Sequence, residues 1–473
     1  MTNQAAHCAE PACHVPPQDL LQRMDRPGPR YTSYPTADRF SEAFGATQLA
    51  QALEQRRRID ETGLAKPLSV YIHIPFCESV CYYCACNKVI TRHHERAAPY
   101  IDALEREIDL VVDSIGARRS VAQLHLGGGS PTFLSDQEIT HLMNLVGQAF
   151  CLLPDAEVSI EVDPRTVTAA RLAHLRAEGF KRISFGVQDF DPEVQQAVHR
   201  VQSFESVRDL MREARVLGFT SINADLIYGL PRQTPASFAR TLVQVAELRP
   251  DRIALYAYAH LPARFKPQRR IHAAELPPPV ARVQMLAAAM AEFQGRGYTY
   301  IGMDHFALPD DPLAVARRED RLQRNFQGYS THPDCDLIGL GVSAIGHVCN
   351  SYYQNAKTLP EYYAALDAGR LPVVRGLTLT TDDLVRRDII MALMCHGRVE
   401  FADVERKHGV RMAEAFADEL ARLAPMCEDG LVAVEDDAIR VTRSGWYVVR
   451  AIALVFDRYL ADSASRERFS RMV

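Results

Sequence analysis

Between Val70 and Tyr300 the chain repeats one pattern: a short β-branched or aromatic run, then an amphipathic stretch of helical length. Runs with strand character fall at 70–74, 123–126, 157–162, 182–186, 221–226 and 252–256. Helical stretches fall between them, among them 100–115, 135–150, 169–178, 204–217 and 238–248. Six βα units in succession build a parallel sheet with right-handed crossovers. The expected fold class is α/β, and the expected architecture is a partial, open TIM-like (βα)6 barrel. A doubly wound sheet has the same alternation. In either fold the loops that follow the strands share one rim, and ligands bind there.

The first strand runs into YIHIPFCESVCYYCACNK, residues 71–88, where four of the eleven cysteines (Cys77, Cys81, Cys84 and Cys86) fall within ten residues. Pro75 ends the strand, so the thiols ride on its exit loop. A loop can wrap so that Cys77, Cys81 and Cys84 reach separate corners of one iron–sulfur cube, leaving the fourth iron open for chemistry. Cys86 could complete the set, although two residues from Cys84 is an awkward spacing on one small cube. A structural zinc knot, a disulfide or chance clustering are the competing readings. Zinc sites usually pair well-separated ligands, and a disulfide is disfavoured in a chain without an export signal.

The remaining strand ends carry polar or glycine signals. The second leads into Gly127-Gly128-Gly129-Ser130-Pro131-Thr132, which lets backbone approach a ligand or simply makes a tight loop. The third ends Glu161-Val162-Asp163-Pro164; carboxylates there need partners, such as a ribose or an ammonium group. The fourth gives Ser184 to Asp189, with His199 and Arg200 on the next helix. The fifth carries Asn223 and Asp225, and the sixth Tyr256 to His260. One such loop reads as a satisfied hydrogen bond at a loop start; five in succession point to a shared site.

The CxxxCxxC motif after YIHIPF resembles the signature of the radical S-adenosylmethionine (SAM) enzymes. The longer form through Cys86-Asn87-Lys88 is similar to their oxygen-independent coproporphyrinogen III oxidase family. Further likenesses are the arm PGPRYTSYP (27–35) and segments 300–306, 324–329 and 339–346, so the resemblance covers nearly the whole chain. It implies a radical-SAM barrel and a 4Fe-4S cluster on Cys77, Cys81 and Cys84. SAM, two molecules of it, would be bound by Tyr71, Tyr83, Gly128, Gly129, Ser130, Glu161, Gln188, Arg200, Asp225, Ala259 and Ile345. Tyr83 departs from the common Phe but keeps the aromatic face. Cys86 and Tyr71 become candidate catalytic residues. The implied reaction is oxidative decarboxylation of two propionates of coproporphyrinogen III to vinyl groups by a 5'-deoxyadenosyl radical, giving protoporphyrinogen IX in haem biosynthesis. An electron donor such as flavodoxin or ferredoxin and a monomeric state go with it. A haem-carrying chaperone on the same scaffold is the runner-up, but those relatives carry CxxxCxxCxF and lack the arm.

The other segments divide the chain into an arm and helix (1–60), the barrel with its extension (61–375) and a mainly helical C-terminal domain (376–473). Residues 1–20 read as a disordered lead and 48–58 as an exposed amphipathic helix. The arm itself reads as a packing strap or a cover for the site. Arg264, Lys266, Arg269 and Arg270 form either a solvated face or a grip for substrate carboxylates. The turn 339–346 suits closure over a flat ligand, or is a tight turn. Helices at 382–394, 401–407 and 411–423, strands at 431–434 and 438–441, and a last helix over 445–460 suggest a winged-helix layout. Many acidic residues there, with a net charge of -5 overall, argue against nucleic acid. No apolar run reaches membrane-spanning length and no signal peptide is visible. An odd cysteine count fits a reducing cytoplasm, where Cys8, Cys13, Cys151, Cys335, Cys349, Cys395 and Cys427 are expected to be inert.

Overall fold

The structure, a computed structural model, describes residues 17–303, 305–332, 335–460 and 469–472. Residues 1–16, with Cys8 and Cys13, lie outside the described residues, as does Asp304 within the 300–306 segment. The end of the expected disordered lead is instead ordered, because a helix Gln18–Met24 buries Leu20 and Leu21.

The barrel is built as the alternation requires. Helix α1 (Ala46–Glu61) precedes β1 (Leu68–Ile74), α2 (Ala97–Ile115), β2 (Arg119–Gly128), α3 (Asp136–Ala149), β3 (Phe150–Val162) and α4 (Ala169–Ala177). Then come β4 (Arg182–Gln188), α5 (Phe204–Val216), β5 (Ser221–Tyr228), α6 (Pro235–Leu248) and β6 (Arg252–Ala257). Helix starts are fixed locally. Ser135 caps α3 through Glu138 N–H while the Glu138 carboxylate accepts from Ser135 N–H, a reciprocal capping box. Thr234 caps α6, with Pro235 at its first position.

Strands β1 to β6 pair in parallel in chain order. The extension adds α7 (Pro279–Gly295), β7 (Thr299–Gly302) and β8 (His305–Ala307), then β9 (Leu337–Leu340), β10 (Ile345–Val348), β11 (Ser351–Asn355) and β12 (Val373–Thr378). The full sheet has twelve strands in the order β12-β11-β10-β9-β1-β2-β3-β4-β5-β6-β8-β7. β9 pairs with β1 in parallel, and the strands beyond β9 and β6 are antiparallel. The 339–346 segment is therefore a turn between paired strands at one wing of the sheet.

Each central strand has an apolar outer face and a polar inner one. In β1 Val70, Ile72 and Ile74 are fully buried. Tyr71, between them, aligns with His125 of β2, which aligns with Ser159 of β3. Glu161, Ser184 and Asn223 follow in register across β3 to β5. Polar groups carried on so many adjacent strands line an interior rather than a packed core.

The Pro- and Gly-rich arm packs down. Tyr31 and Tyr34 are buried, and the Tyr31 hydroxyl donates to Asp457 over 3.0 Å. Arg450 donates to the carbonyls of Gly28 (2.6 Å) and Pro29 (3.1 Å), and Ser41 bridges to Gly376 on β12. Helix α1 is not exposed as expected: it runs longer at both ends and buries Leu49, Ala52 and Leu53.

The C-terminal segment keeps its helices at Thr381–His396 and Phe401–His408. The single helix expected over 411–423 is broken into Met412–Ala415 and Ala417–Arg422, because Phe416 leaves helical geometry and buries its ring. The helix expected over 445–460 is likewise broken, into Arg443–Trp446, Val449–Ala453 and two single 3-10 turns. Val448 is non-helical, and Trp446, Val448 and Phe456 all turn inward. The hairpin Val432–Val434/Ala438–Val441 gains a third strand, Arg398–Glu400.

Candidate active site

Parallel pairing brings the strand exits to one rim, and there the thiols meet the polar loops. One cavity of about 170 Å³ is lined by Cys77, Cys81, Cys84, Cys86 and Tyr83 from the loop after β1, and by Gly128, Gly129 and Ser130 after β2. Glu161, Gln188, Arg200 and Asp225 of the expected set also stand on its walls. Tyr71, Ala259 and Ile345 are not among the lining residues. Tyr71 stands one step away: its hydroxyl meets His73 Nδ1 at 3.0 Å, and its ring stacks 5.9 Å from His125, which contacts Glu161. Ala259 is tied to the loop through Gln268, whose amide donates to the carbonyls of both Tyr83 (3.0 Å) and Ala259 (3.1 Å). Ile345 packs instead in the apolar cluster of Phe40, Tyr352 and Leu379.

The loops interlock through backbone. Gly129 N–H donates to Ile74 O and Ser130 N–H to Phe76 O, each at 2.8 Å. A Cβ on Gly129 would stand 2.6 Å from Pro75 O and 2.7 Å from Phe76 O. Only glycine permits that crossing, so the glycine run fixes where the cysteine loop begins.

Charge around the thiols is arranged in pairs. Arg200, buried, donates to Asp163 Oδ2 (3.2 Å), to Gly186 O (2.7 Å) and to the Cys81 sulfur (3.5 Å). Arg165 also reaches Cys81 at 3.5 Å and pairs with Asp163 at 2.6 Å. Asp163 thus finds its cations within the chain rather than in a ligand. His199 and Arg200 lie just past the short helix Pro192–Ala197, not on it.

Glu161 accepts from Gly128 N–H (3.1 Å) and meets His125 Nε2 at 3.3 Å. Burial would raise its pKa, but these bonds outweigh it and hold the group below the usual range. It nevertheless presents 45% of its side chain to the cavity. Asp225 behaves oppositely: burial and the Glu161 charge push it up to about 6, against hydrogen bonds from Ser184 and Asn223. Burial and the neighbouring thiols push Cys77 up to about 12. A hydrogen bond from Cys86, helped by the Lys88 ammonium, brings Cys84 down to about 6, and the same bond raises Cys86.

The donor set fits an iron–sulfur cluster. The thiols surround a cavity instead of closing on one point, as ligands to separate corners must. Among the described residues no three His, Cys, Asp or Glu side chains converge on a single-ion position. Cys77, Cys81, Cys84 and Cys86 form no disulfide. Arg165, Lys88, Asp163 and Ser184 also line the cavity. The sequence offers one signal for them, their place within three residues of an expected strand end or a thiol.

Residues 71–245 match the Radical SAM superfamily, and residues 379–448 match the HemN C-terminal domain. Sheet, rim and thiol loop thus define a radical SAM enzyme, an oxidoreductase. An Escherichia coli (strain K12) protein named oxygen-independent coproporphyrinogen III oxidase is 49% identical over 454 residues, 96% of this chain and 98% of its own length. The Pseudomonas aeruginosa protein of that name is 48% identical over 457 residues, with the same coverage of 96% and 98%. The solved structure of coproporphyrinogen III oxidase (HemN) from Escherichia coli, described as a radical SAM enzyme, superposes with a TM-score of 0.89 at 48% identity, covering 94% of this chain and all of that one. The chain belongs to the oxygen-independent coproporphyrinogen III oxidase family. No helix among the described residues is long and apolar enough to cross a membrane.

Proposed function

We propose that this chain converts two propionate side chains of coproporphyrinogen III to vinyl groups without oxygen, yielding protoporphyrinogen IX. The observation that carries the reading is the convergence of four thiols and four polar residues, Glu161, Gln188 and Asp225 from the strand ends and Arg200 from beyond the helix after β4, on one cavity at the barrel rim. Cys77, Cys81 and Cys84 hold a 4Fe-4S cluster with one iron left for SAM. When bound, cluster and SAM would supply the radical chemistry that removes a hydrogen from a propionate.

The chain's own part is binding, orientation and exclusion of water. Gly128, Gly129 and Ser130 present backbone and a hydroxyl to the methionyl end of SAM. Glu161, kept ionised, offers a carboxylate for an ammonium or a hydroxyl. Asp225 and Gln188 face the same space, and Tyr83 covers the loop with an aromatic face. Tyr71, Ala259 and Ile345 complete the SAM-binding set, the last toward a second SAM molecule. Cys86 and Tyr71 act next to the reacting groups. Cys77 gives up its proton when metal binds.

The working unit is a cytoplasmic monomer fed single electrons by a flavodoxin or ferredoxin. It divides into an arm (1–60), the barrel and its extension (61–375) and a C-terminal domain (376–473). The test is an anaerobic assay of reconstituted protein with coproporphyrinogen III, SAM and a strong reductant. Loss of one and then two carboxylates by chromatography supports the reading, and Cys81→Ser should abolish it. SAM cleavage with intact substrate and tight haem binding would overturn it in favour of a chaperone.

A further inference from the structure

Resting on that substrate, a compound with four carboxylates, the structure raises the question of which cations receive the acidic side chains. The run Arg264, Lys266, Arg269 and Arg270 is exposed: Arg269 donates to Pro262 O and Arg270 stacks on Tyr82. It is a solvated face.

A different arginine stands out inside. Arg324, on the hairpin Gln323–Asn325/Gly328–Ser330, is 8% exposed and forms no ion pair with any carboxylate among the described residues. Its Nε donates to Arg30 O over 3.2 Å, its Cζ lies 4.6 Å over the Tyr329 ring, and its Nη1 is buried without a partner. A guanidinium taken out of water without an anion is costly unless the anion arrives with a ligand. The small cavity beside it carries Arg324, Arg387, His332 and His347 on its walls and no carboxylate among the described residues.

The position relative to the thiol cavity follows from register. Asp225 of β5, on the wall of that cavity, aligns with Ala254 of β6, so Tyr256 shares the inner face one step nearer the rim. Tyr256 is 37% exposed there. Arg30 of the arm lies 5.3 Å over its ring; His305 meets that ring at 6.0 Å and Tyr329 at 5.6 Å. Two guanidiniums thus flank one aromatic run, Tyr256–His305–Tyr329, next to the site.

We propose that Arg324, with Arg30 of the arm beside it, binds a carboxylate of the substrate while a pyrrole ring rests on the aromatic run and another propionate faces the thiol loop. The planar fork of Arg324 offers the free Nη1 to one carboxylate oxygen. The arm is then part of the substrate wall, held by Arg450 and Asp457 at its other contacts.

The test uses the reconstituted full chain and coproporphyrin III, the stable oxidised form, titrated by fluorescence quenching. Arg324→Gln is expected to weaken binding about tenfold or more, with SAM affinity and cluster absorbance unchanged; Arg324→Lys recovers part of the loss. Wild-type binding that Arg324→Gln leaves unchanged overturns this inference alone. If the Gln variant does not fold, Arg324→Lys decides: a loss of about threefold or more with unchanged SAM affinity supports the proposal, since an ammonium lacks the fork, and no loss overturns it. Failure of the wild type to bind coproporphyrin III overturns the substrate reading and this inference together.

Discussion

Arg200 Nη1 lies 3.5 Å from the sulfur of Cys81, although the two are separated by 119 positions in the chain. The contact ties the exit of β4 to the thiol loop, and Asp163 from β3 closes the triangle at 3.2 Å. The buried guanidinium thereby holds sulfur, carboxylate and the Gly186 carbonyl at one point.

Arg200→Ala leaves Asp163 with Arg165 as its remaining cation among the described residues and opens a gap under Cys81. We expect a loss of about 3 kcal/mol in stability and fewer iron atoms per chain after reconstitution. Arg200→Lys should recover only part, because one ammonium cannot serve sulfur, carboxylate and the Gly186 carbonyl at once. Iron content and thermal unfolding measured together check this; full iron loading in the Ala variant would contradict it.

Gly129→Ala tests the backbone crossing. Its Cβ meets two carbonyl oxygens that cannot swing aside, at 2.6 and 2.7 Å. The exit of β1 must shift, and Cys77 with it. We expect destabilisation of about 2 kcal/mol and loss of the cluster's absorbance, whereas Gly147→Ala, on the open face of α3, leaves the absorbance unchanged and does not lower stability.

Glu107 on α2 is fully buried and accepts from Gly341 N–H (2.7 Å), Tyr362 Oη (2.6 Å) and Asn355 Nδ2 (2.6 Å). Burial outweighs these donors and pushes its pKa from 4.5 to about 7. The folded chain therefore holds a proton that the unfolded chain releases above pH 4.5. This contribution to stability is complete below pH 4.5 and is lost as pH rises through about 7. Glu107→Gln removes the titration. From acid to alkaline conditions the wild type should lose on the order of 3 kcal/mol of unfolding free energy relative to the variant; parallel pH curves would refute the assignment.

The six parallel strands were legible because their signal is local: each is a short apolar run followed by turn residues, and the structure places β1 to β6 over those runs. The rim was legible for the same reason, since parallel pairing alone brings Cys77, Gly128, Glu161, Gln188 and Asp225 together. What the sequence did not show depends on distant partners. Phe416 and Val448 interrupt helices because their neighbours bury them, and the amphipathic pattern around them is otherwise intact. The partners of Asp163 are arginines 2 and 37 positions away, and only the fold selects them over a ligand. The isolated cation of Arg324 depends on which carboxylates the fold keeps away from it.

Asp225 allows the SAM reading to be tested by pH. Its carboxyl, pushed up to about 6 by burial, with the Glu161 charge adding to the shift, is neutral in mild acid and ionised at neutrality. If it accepts hydrogen bonds from the hydroxyls of SAM, only the ionised form serves fully, so affinity should rise with pH through about 6 and level off above it. About one tenth of the group is ionised one unit below its pKa, so the dissociation constant near pH 5 should be up to about tenfold weaker than near pH 7. Glu161, held low, stays charged across this window and adds no slope of its own. Asp225→Asn keeps the shape of the side chain and removes the titration. Its SAM affinity should be weak and nearly flat with pH, while the cluster's absorbance stays that of the wild type. Calorimetric titration of the reconstituted protein at several pH values checks both curves. A wild-type profile that is flat through 6, or an Asn variant that keeps the wild-type slope, would move the ribose contact away from Asp225.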